Sequence, residues 1–530
     1  MSGRPEARTV GALLDERAAA DGARLALLGD DGQSYDYAGL RARVRGLARD
    51  LIALGLRPGE RLAILMGNRA EWVLLDLAAK LIGAIPVGIN TWSTSRELEY
   101  VLDHSGAAAL VTTDRFLKAD FLAMLDGLRP WNERLPALRR VVVLGAGARD
   151  DTLAFARFDG MGAGVAEAEL DRLAGAVRPE DPAILLYTSG STSRPKGVLL
   201  AHRGLIENMW DIGARLHLEP EDRVWLAVSL FWALGSVNAL FAAFTHAASV
   251  VLQDHFEAGA AVRLIARARC TALYGTPNML AALLADPARG PDDLARVRKC
   301  ATIGTPEQMH RTIAEIAPMA CQIYGMTETY GNCAVTDAAD PADLRATTVG
   351  PPLDGQRIRI ADPDTGRALV TGETGEIRVK GHVMLGYYRD PERSAAAFDA
   401  DGWLLTGDLG FIGADGRLRF RGRIKEMVKS GGINIAPAEV EEVLQAHPDV
   451  AQAYVVGLPD AARDEVLAAV IVPRAGTAPD AASLAAHCAG ALAAYKLPRV
   501  WRVVAETALP LTITGKVQKN RLGELFAAPP

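Results

Sequence analysis

YTSGSTSRPKGV, residues 187–198, is the stretch on which the reading of this chain turns. The apolar run from Ala183 to Leu186 before it reads as a buried strand, and Val198 to Ala201 after it reads as a second. Between them stand Thr188, Ser189, Gly190, Ser191, Thr192 and Lys196. Small residues let backbone N–H groups approach a phosphate, hydroxyls donate to its oxygens, and a lysine supplies positive charge. A polyphosphate site is expected here. It is not a Walker loop, which places glycine before its lysine and Ser or Thr after it at the start of a helix. Here Pro195 precedes Lys196, and Gly197 and Val198 follow.

The rest of the chain sets the context. At 530 residues it exceeds one core and calls for two or more domains. The apolar content is 49% and the charged content 23%, as in an ordinary globular protein. A net charge of −6 argues against a nucleic-acid partner. The N-terminus lacks the apolar segment of a signal peptide, and no uninterrupted apolar run reaches bilayer-spanning length. Cys270, Cys300, Cys321, Cys333 and Cys488 are scattered and odd in number. They are expected as core thiols in a cytoplasmic protein, neither disulfides nor zinc ligands.

Through the first 350 residues apolar strands (62–65, 109–111) alternate with amphipathic helices (71–82, 95–102). This pattern predicts an α/β fold: a large N-terminal domain of stacked α/β layers with largely parallel sheets. Beyond it, Asp354-Gly355, Thr365-Gly366, Asp401-Gly402 and Asp415-Gly416 predict a β-rich subdomain of hairpins. A small α+β C-terminal domain follows, with a helix from Pro437 to Ala446, strands at 453–456 and 468–472, and an Ala-rich helix at 481–494. The expected boundaries are an N-terminal domain 1–423, a hinge at 424–425 and a C-terminal domain 426–530.

Five motifs in order then resemble the adenylate-forming superfamily of acyl-CoA synthetases, luciferases and peptide-synthetase adenylation domains. YTSGSTSRPKGV is similar to its phosphate loop, YGMTE (324–328) to its nucleotide and magnesium motif, and TGD (406–408) to its ribose turn. GRIKEMVKSGGINIAPAEVE (422–441) resembles its hinge and the glycine loop beyond, and PLTITGK (510–516) its C-terminal lysine loop. The resemblance implies an acid–thiol ligase that uses ATP, Mg²⁺ and coenzyme A. A carboxylate attacks the α-phosphate to give acyl-AMP and pyrophosphate, and a thiol then displaces AMP.

It also implies roles residue by residue. Lys516 reaches between the acyl carboxylate and the α-phosphate, and Glu328 is the magnesium ligand. Thr188 and Lys196 act on the phosphates with Ser189, Gly190, Ser191 and Thr192. Tyr324 offers a face to adenine beside Gly325 and Met326, and Thr327 donates to the α-phosphate. Gly304 and Thr305 border adenine and the acyl group. Asp408 accepts from the ribose hydroxyls, with Arg423 in support. Lys425 is the pivot of a mobile C-terminal domain, and Gly431 and Gly432 line the pantetheine tunnel. Trp232, Ala233, Gly235, Ser236, Tyr330 and Gly331 are expected to wall the acyl pocket. Their apolar and aromatic character suits an aromatic, alicyclic or medium- to long-chain fatty acid.

Three departures qualify the match: Ser193 stands where relatives carry glycine, Trp232 where many carry histidine, and IGTPEQ (303–308) replaces a looser pattern. They support an alternative, a variant that mainly converts pre-formed acyl-AMP into thioester. A second alternative is a non-catalytic nucleotide-binding protein on the same fold, which the presence of Lys516, Glu328 and Asp408 opposes. CoA is favoured over a carrier protein, since no large insertion is present and no carrier domain follows Pro530. A homodimer is compatible with these features.

Overall fold

The computed structural model describes residues 3–188, 195–430, 433–435, 437–460, 464–489, 491–492, 496–511 and 517–527. The chain forms two compact units, residues 1–357 with 379–404 and residues 358–378 with 405–530.

The first unit is built on two eight-stranded sheets. In one, Pro182–Thr188, Ile85–Gly88, Arg61–Leu65, Ala107–Thr113, Arg140–Leu144 and Leu153–Ala154 run parallel in that spatial order. Lys196–Ala201 and Gly386–Tyr387 add an antiparallel edge. In the other, Met319–Tyr324, Lys299–Thr302, Ala272–Tyr274, Arg223–Leu226, Ser249–Leu252 and Leu25–Leu28 run parallel between antiparallel ends. The expectation of largely parallel sheets holds. All seven residues of AAALVTT (107–113) are buried, which is why this strand reads as a continuous apolar run without alternation.

The helix Ala70–Leu81 is buried on every side, including the ion pair of Asp76 and Lys80. The helix Ser95–Ser105 instead shows one apolar stripe, Leu98, Val101 and Leu102. A capping box between Thr94 and Glu97 starts it, and Gly106 at φ 58° ends it. That stripe joins Leu185 and Val87 in one cluster, which sets the helix against the phosphate-loop strand.

The second unit holds a sheet in the order Arg357–Ala361, Gly375–Lys380, Leu404–Ile412, Leu418–Arg423, of which the first three strands reach the unit's borders. It also holds a five-stranded sheet centred on Asp464–Pro473. The helix Pro437–Gln445 buries Val440 and Leu444 against Val455, Leu467 and Ile471 of the latter. One of the four expected hairpin turns joins two paired strands, and two close single bridges. Asp415-Gly416 links Leu404–Ile412 to Leu418–Arg423, and Thr365-Gly366 closes a bridge between Ala361 and Ala368. Asp354-Gly355 is a turn ahead of a strand, and Asp401-Gly402 closes a single bridge between Phe398 and Leu404. All four glycines have φ between +72° and +76°, so the Asp-Gly signal marked the turns correctly, though not always a hairpin.

Candidate active site

The two strands around the phosphate loop form an antiparallel hairpin whose last pair is Thr188 opposite Lys196. The hydroxyl and the ammonium expected to act on phosphate thus leave neighbouring strands at one level. Ser189, Gly190, Ser191, Thr192 and Ser193 lie outside the described residues. Gly197 is closely packed: a Cβ there would come within 2.9 Å of Leu185 Cδ1 and 3.3 Å of Tyr388 Cβ and would press on both side chains.

The Lys196 ammonium lies 4.8 Å from the centroid of the Tyr387 ring, a cation–π contact. The Tyr387 hydroxyl donates to Glu328 Oε1 at 2.8 Å. Burial first, then the negative Glu328, pushes the Tyr387 phenol well above its ordinary value, so it stays a donor. One aromatic side chain therefore ties the phosphate-loop lysine to the expected metal ligand. Sequence reading missed Tyr387. Its only signal is the apolar-aromatic step GYY (386–388), and its role depends on pairing between Gly386–Tyr387 and Lys196–Ala201.

Glu328 sits in the turn Thr327–Thr329 and is 6% exposed. Its backbone carbonyl accepts from Met384 N–H at 2.7 Å. The turn follows the strand Met319–Tyr324, at the carboxyl end of parallel strands where open α/β sheets bind ligands. Tyr330 at φ 59° and Gly331 at φ 89° fold the chain back, so that Gly331 N–H donates to the Met326 carbonyl. A Cβ on Gly325 would lie 2.5 Å from Asn332 Cα, which explains the glycine in YGMTE. Tyr324 is the last residue of its strand and is buried, with Thr327 beginning the turn.

Gly304 and Thr305 lie just past the neighbouring parallel strand Lys299–Thr302. Thr305 is spent on a capping box with Gln308 at the start of the helix Pro306–Glu315, and the Gly304 carbonyl accepts from Gln322 Nε2 at 2.9 Å.

The proposed acyl residues fall into two groups. Trp232 is half-buried and meets Phe231 and Trp92 edge-on, with centroids 5.2 and 5.4 Å away, and Trp92 meets Phe231 at 5.3 Å. Trp92 is a second residue that sequence reading did not single out. Ala233 leads into a π-helical turn, Leu234–Ala239, a form common at functional sites. Gly235, Ser236, Tyr330 and Gly331 are instead engaged in packing. Gly235 lies against the Ser229 carbonyl, and Ser236 Oγ donates to the Trp232 carbonyl. The Tyr330 hydroxyl accepts from Ala201 N–H at 2.8 Å while its ring covers Gly204. Gly331 closes on Asn238.

In the second unit Asp408 and Arg423 are partners across the strands Leu404–Ile412 and Leu418–Arg423. Arg423 Nε lies 3.3 Å from Asp408 Oδ1, with Asp408 buried and Arg423 exposed. The bend at Gly407, φ 69°, is held by Thr406 Oγ1, which donates to the Ile377 carbonyl and accepts from Asp408 N–H. Lys425 belongs to the short 3₁₀ turn Ile424–Glu426. Gly431, Gly432 and Lys516 lie outside the described residues. Leu511, the second residue of PLTITGK, and Val517, the residue after it, form an antiparallel bridge.

Mg²⁺ is a hard cation that takes oxygen ligands and is held by one or two carboxylates plus substrate phosphates. Glu328, a buried carboxylate facing the phosphate-loop lysine through Tyr387, fits that donor set. No group of three or more His, Cys, Asp or Glu suited to a metal exists among the described residues.

Comparison with known proteins identifies the family. The family model for AMP-binding enzymes matches residues 14–388, and that for the AMP-binding enzyme C-terminal domain matches residues 439–516. The 3-[(3aS,4S,7aS)-7a-methyl-1,5-dioxo-octahydro-1H-inden-4-yl]propanoyl:CoA ligase of Mycobacterium tuberculosis is 38% identical over 98% of this chain and 99% of its own. The sulfoacetate–CoA ligase of Cupriavidus necator is 34% identical over 93% of each. The ATP-bound MatB of Rhodopseudomonas palustris superposes with a TM-score of 0.83 at 29% identity, covering 98% of this chain and 99% of that one. The chain belongs to the AMP-binding, adenylate-forming enzyme family. Within it, the chain is an acyl-CoA synthetase, an AMP-forming acid–thiol ligase that uses ATP, a carboxylic acid and CoA.

Proposed function

We propose that the acid is apolar and ring-bearing, aromatic or alicyclic, with medium- to long-chain fatty acids as the next class. The observation that carries this is the edge-to-face cluster of Trp92, Phe231 and Trp232, which offers flat apolar surface for a ring. None of the proposed wall residues is charged. The relative named for a bicyclic propanoyl group is the more similar of the two ligases compared, at 38% against 34% for the one named for sulfoacetate. A small sulfonate would call for a cation in the acyl pocket.

The catalytic roles follow from charge. Adenylation brings a carboxylate to a polyphosphate, so cations must offset their repulsion. Lys196 and Thr188 hold the phosphates with Ser189, Gly190, Ser191 and Thr192. Glu328 holds the magnesium ion that neutralises phosphate charge, and Tyr324, Gly325, Met326 and Thr327 flank the nucleotide. Asp408 accepts from the ribose, and Lys516 completes adenylation. Lys425 serves as pivot between a domain ending at 423 and one beginning at 426, and Gly431 and Gly432 admit the pantetheine arm. CoA is the acceptor rather than a carrier protein. The cytoplasm is the proposed compartment, and no described helix is long and apolar enough to cross a membrane. A homodimer is the proposed assembly where one forms.

The test is AMP release with a panel of acids. Ring-bearing acids such as a substituted benzoate or an indanyl propanoate should give the highest kcat/KM, followed by octanoate. A preference for sulfoacetate, acetate or an amino acid would overturn the proposal. ATP–pyrophosphate exchange with the preferred acid separates full ligase activity from the acyl-AMP-only alternative that Ser193 and Trp232 raise.

A further inference from the structure

Both ends of the phosphate hairpin are fastened by one face of one helix. Tyr100 and His104, one turn apart on Ser95–Ser105, reach the two strands separately. The Tyr100 hydroxyl donates to the carbonyl of Pro195 at 3.0 Å, directly before Lys196. His104 Nδ1 lies 2.8 Å from the hydroxyl of Tyr187, directly before Thr188. Burial holds His104 below its ordinary value and the Tyr187 phenol above its own, so a protonated phenol and a neutral imidazole share this hydrogen bond. The Tyr100 and His104 rings stack at 5.3 Å.

The helix end is itself secured. Arg389 Nη1 donates to the His104 carbonyl, while Arg61 donates to the carbonyls of Ser105 and Gly106. Both guanidinium groups lie over the Tyr388 ring, and Tyr388 N–H donates to the Gly197 carbonyl at 2.7 Å. The contacts close a ring from one strand end, through the helix, to the other.

From this we propose that Tyr100 and His104 are positioning residues for ATP: they fix the backbone on either side of Thr188 and Lys196 so that both reach the phosphates without further ordering. Neither touches the nucleotide. The physical basis is that ordering backbone on binding costs conformational entropy per residue, and geometry fixed beforehand lowers that cost. The proposal rests on the assignment of Thr188 and Lys196 to the phosphates.

The test measures KM for ATP in pyrophosphate exchange and, separately, thioester formation from supplied acyl-AMP, in Tyr100→Phe, Tyr187→Phe, His104→Ala and His104→Gln. Losing one net hydrogen bond should raise KM for ATP about fivefold in the first three, leaving the thioester step within about twofold. His104→Gln keeps an acceptor for the Tyr187 hydroxyl and should recover most of the loss. Tyr187→Phe combined with His104→Ala should cost no more than either alone, because they break the same bond. Unchanged KM for ATP, or equal loss in both half-reactions, would overturn the proposal. Lys196→Ala is the control for the underlying assignment: if it leaves KM for ATP unchanged, the phosphate reading fails. If it raises KM while Tyr100→Phe and Tyr187→Phe do not, only the bracing role fails. Tyr187→Phe is nearly isosteric and carries the test should a variant at Tyr100 or His104 not fold.

Discussion

Tyr387 stands between a cation and an anion, and removing its hydroxyl separates their contributions. Tyr387→Phe keeps the ring under Lys196 and deletes the bond to Glu328. Hydrogen bonds to charged groups are worth about 1.5–3 kcal/mol, so adenylation should fall about tenfold or more and need a higher magnesium concentration for half-saturation. Magnesium titrations of pyrophosphate exchange would show this, and an unshifted titration would remove Tyr387 from the ligand's support. A second residue governs acid stability. His202 is fully buried, its Nδ1 accepts from Val10 N–H, and burial first, then Lys80, pushes it down to about 3 from 6.5. Between those values the unfolded chain binds a proton that the folded chain does not. Stability is therefore lost as pH falls from 6.5 toward 3, on the order of a few kcal/mol, and levels off below. His202→Asn, which keeps an acceptor for Val10, should flatten the slope of Tm against pH in that window. His246, depressed to about 4 chiefly by burial, leaves a residual slope of the same sign. An unchanged slope in the variant would show that His202 does not carry the effect. Neither Tyr387 nor His202 was legible in the sequence, because each acts through a partner far along the chain, 59 residues away for Glu328 and 192 for Val10.

At the scale of elements, the sequence was most readable where burial is uniform and least readable where a turn does the work. AAALVTT and RLAIL announce buried strands by composition alone, and in the structure Thr94 and Gly106 cap the helix Ser95–Ser105. The turn that presents Glu328 is different. YGMTE locates it, but its shape comes from Tyr330 and Gly331, both left-handed, and from Asn238, which donates to the Tyr330 carbonyl. From the string alone Tyr330 and Gly331 look like pocket wall. In the fold they are the clasp that turns the chain back on the strand Met319–Tyr324. Gly331→Ala tests the clasp. A Cβ there would lie 2.3 Å from Asn238 Nδ2, at a φ that L-residues rarely adopt. The variant should lose at least about 1 kcal/mol, a fall in Tm of about 2–4 °C, together with adenylation activity. Calorimetry with pyrophosphate exchange checks both, and a variant with unaltered Tm would show that this turn is not under constraint.

For the whole molecule the decisive feature is that the chemistry is split along the chain. The phosphate hairpin and Glu328 lie in the first compact unit, whereas Asp408, Arg423 and Lys425 lie in the second. The order of the five motifs suggests this division of labour from sequence, since each motif keeps its residue types whatever the packing. The compact units were not readable, because the strands Gly375–Lys380 and Leu404–Ile412 carry no mark saying which unit they join. A ligase with two chemically opposed steps benefits from such a split. The first step needs a cation at the meeting point of two anions, and the second needs that place cleared for a thiol. Lys516→Ala should therefore lower pyrophosphate exchange by at least about a hundredfold, as expected when one stabilising donor is removed from a charged transition state. Thioester formation from supplied acyl-AMP should change by less than about threefold, because no phosphate charge then needs offsetting at the acyl carbon. Lys425→Pro would act differently, as Pro fixes φ near −65° in the turn proposed as the pivot, and on that proposal it should depress the two half-reactions together. Equal losses in both steps for Lys516→Ala would mean that this lysine does not distinguish them, and that one fixed arrangement of the chain performs both.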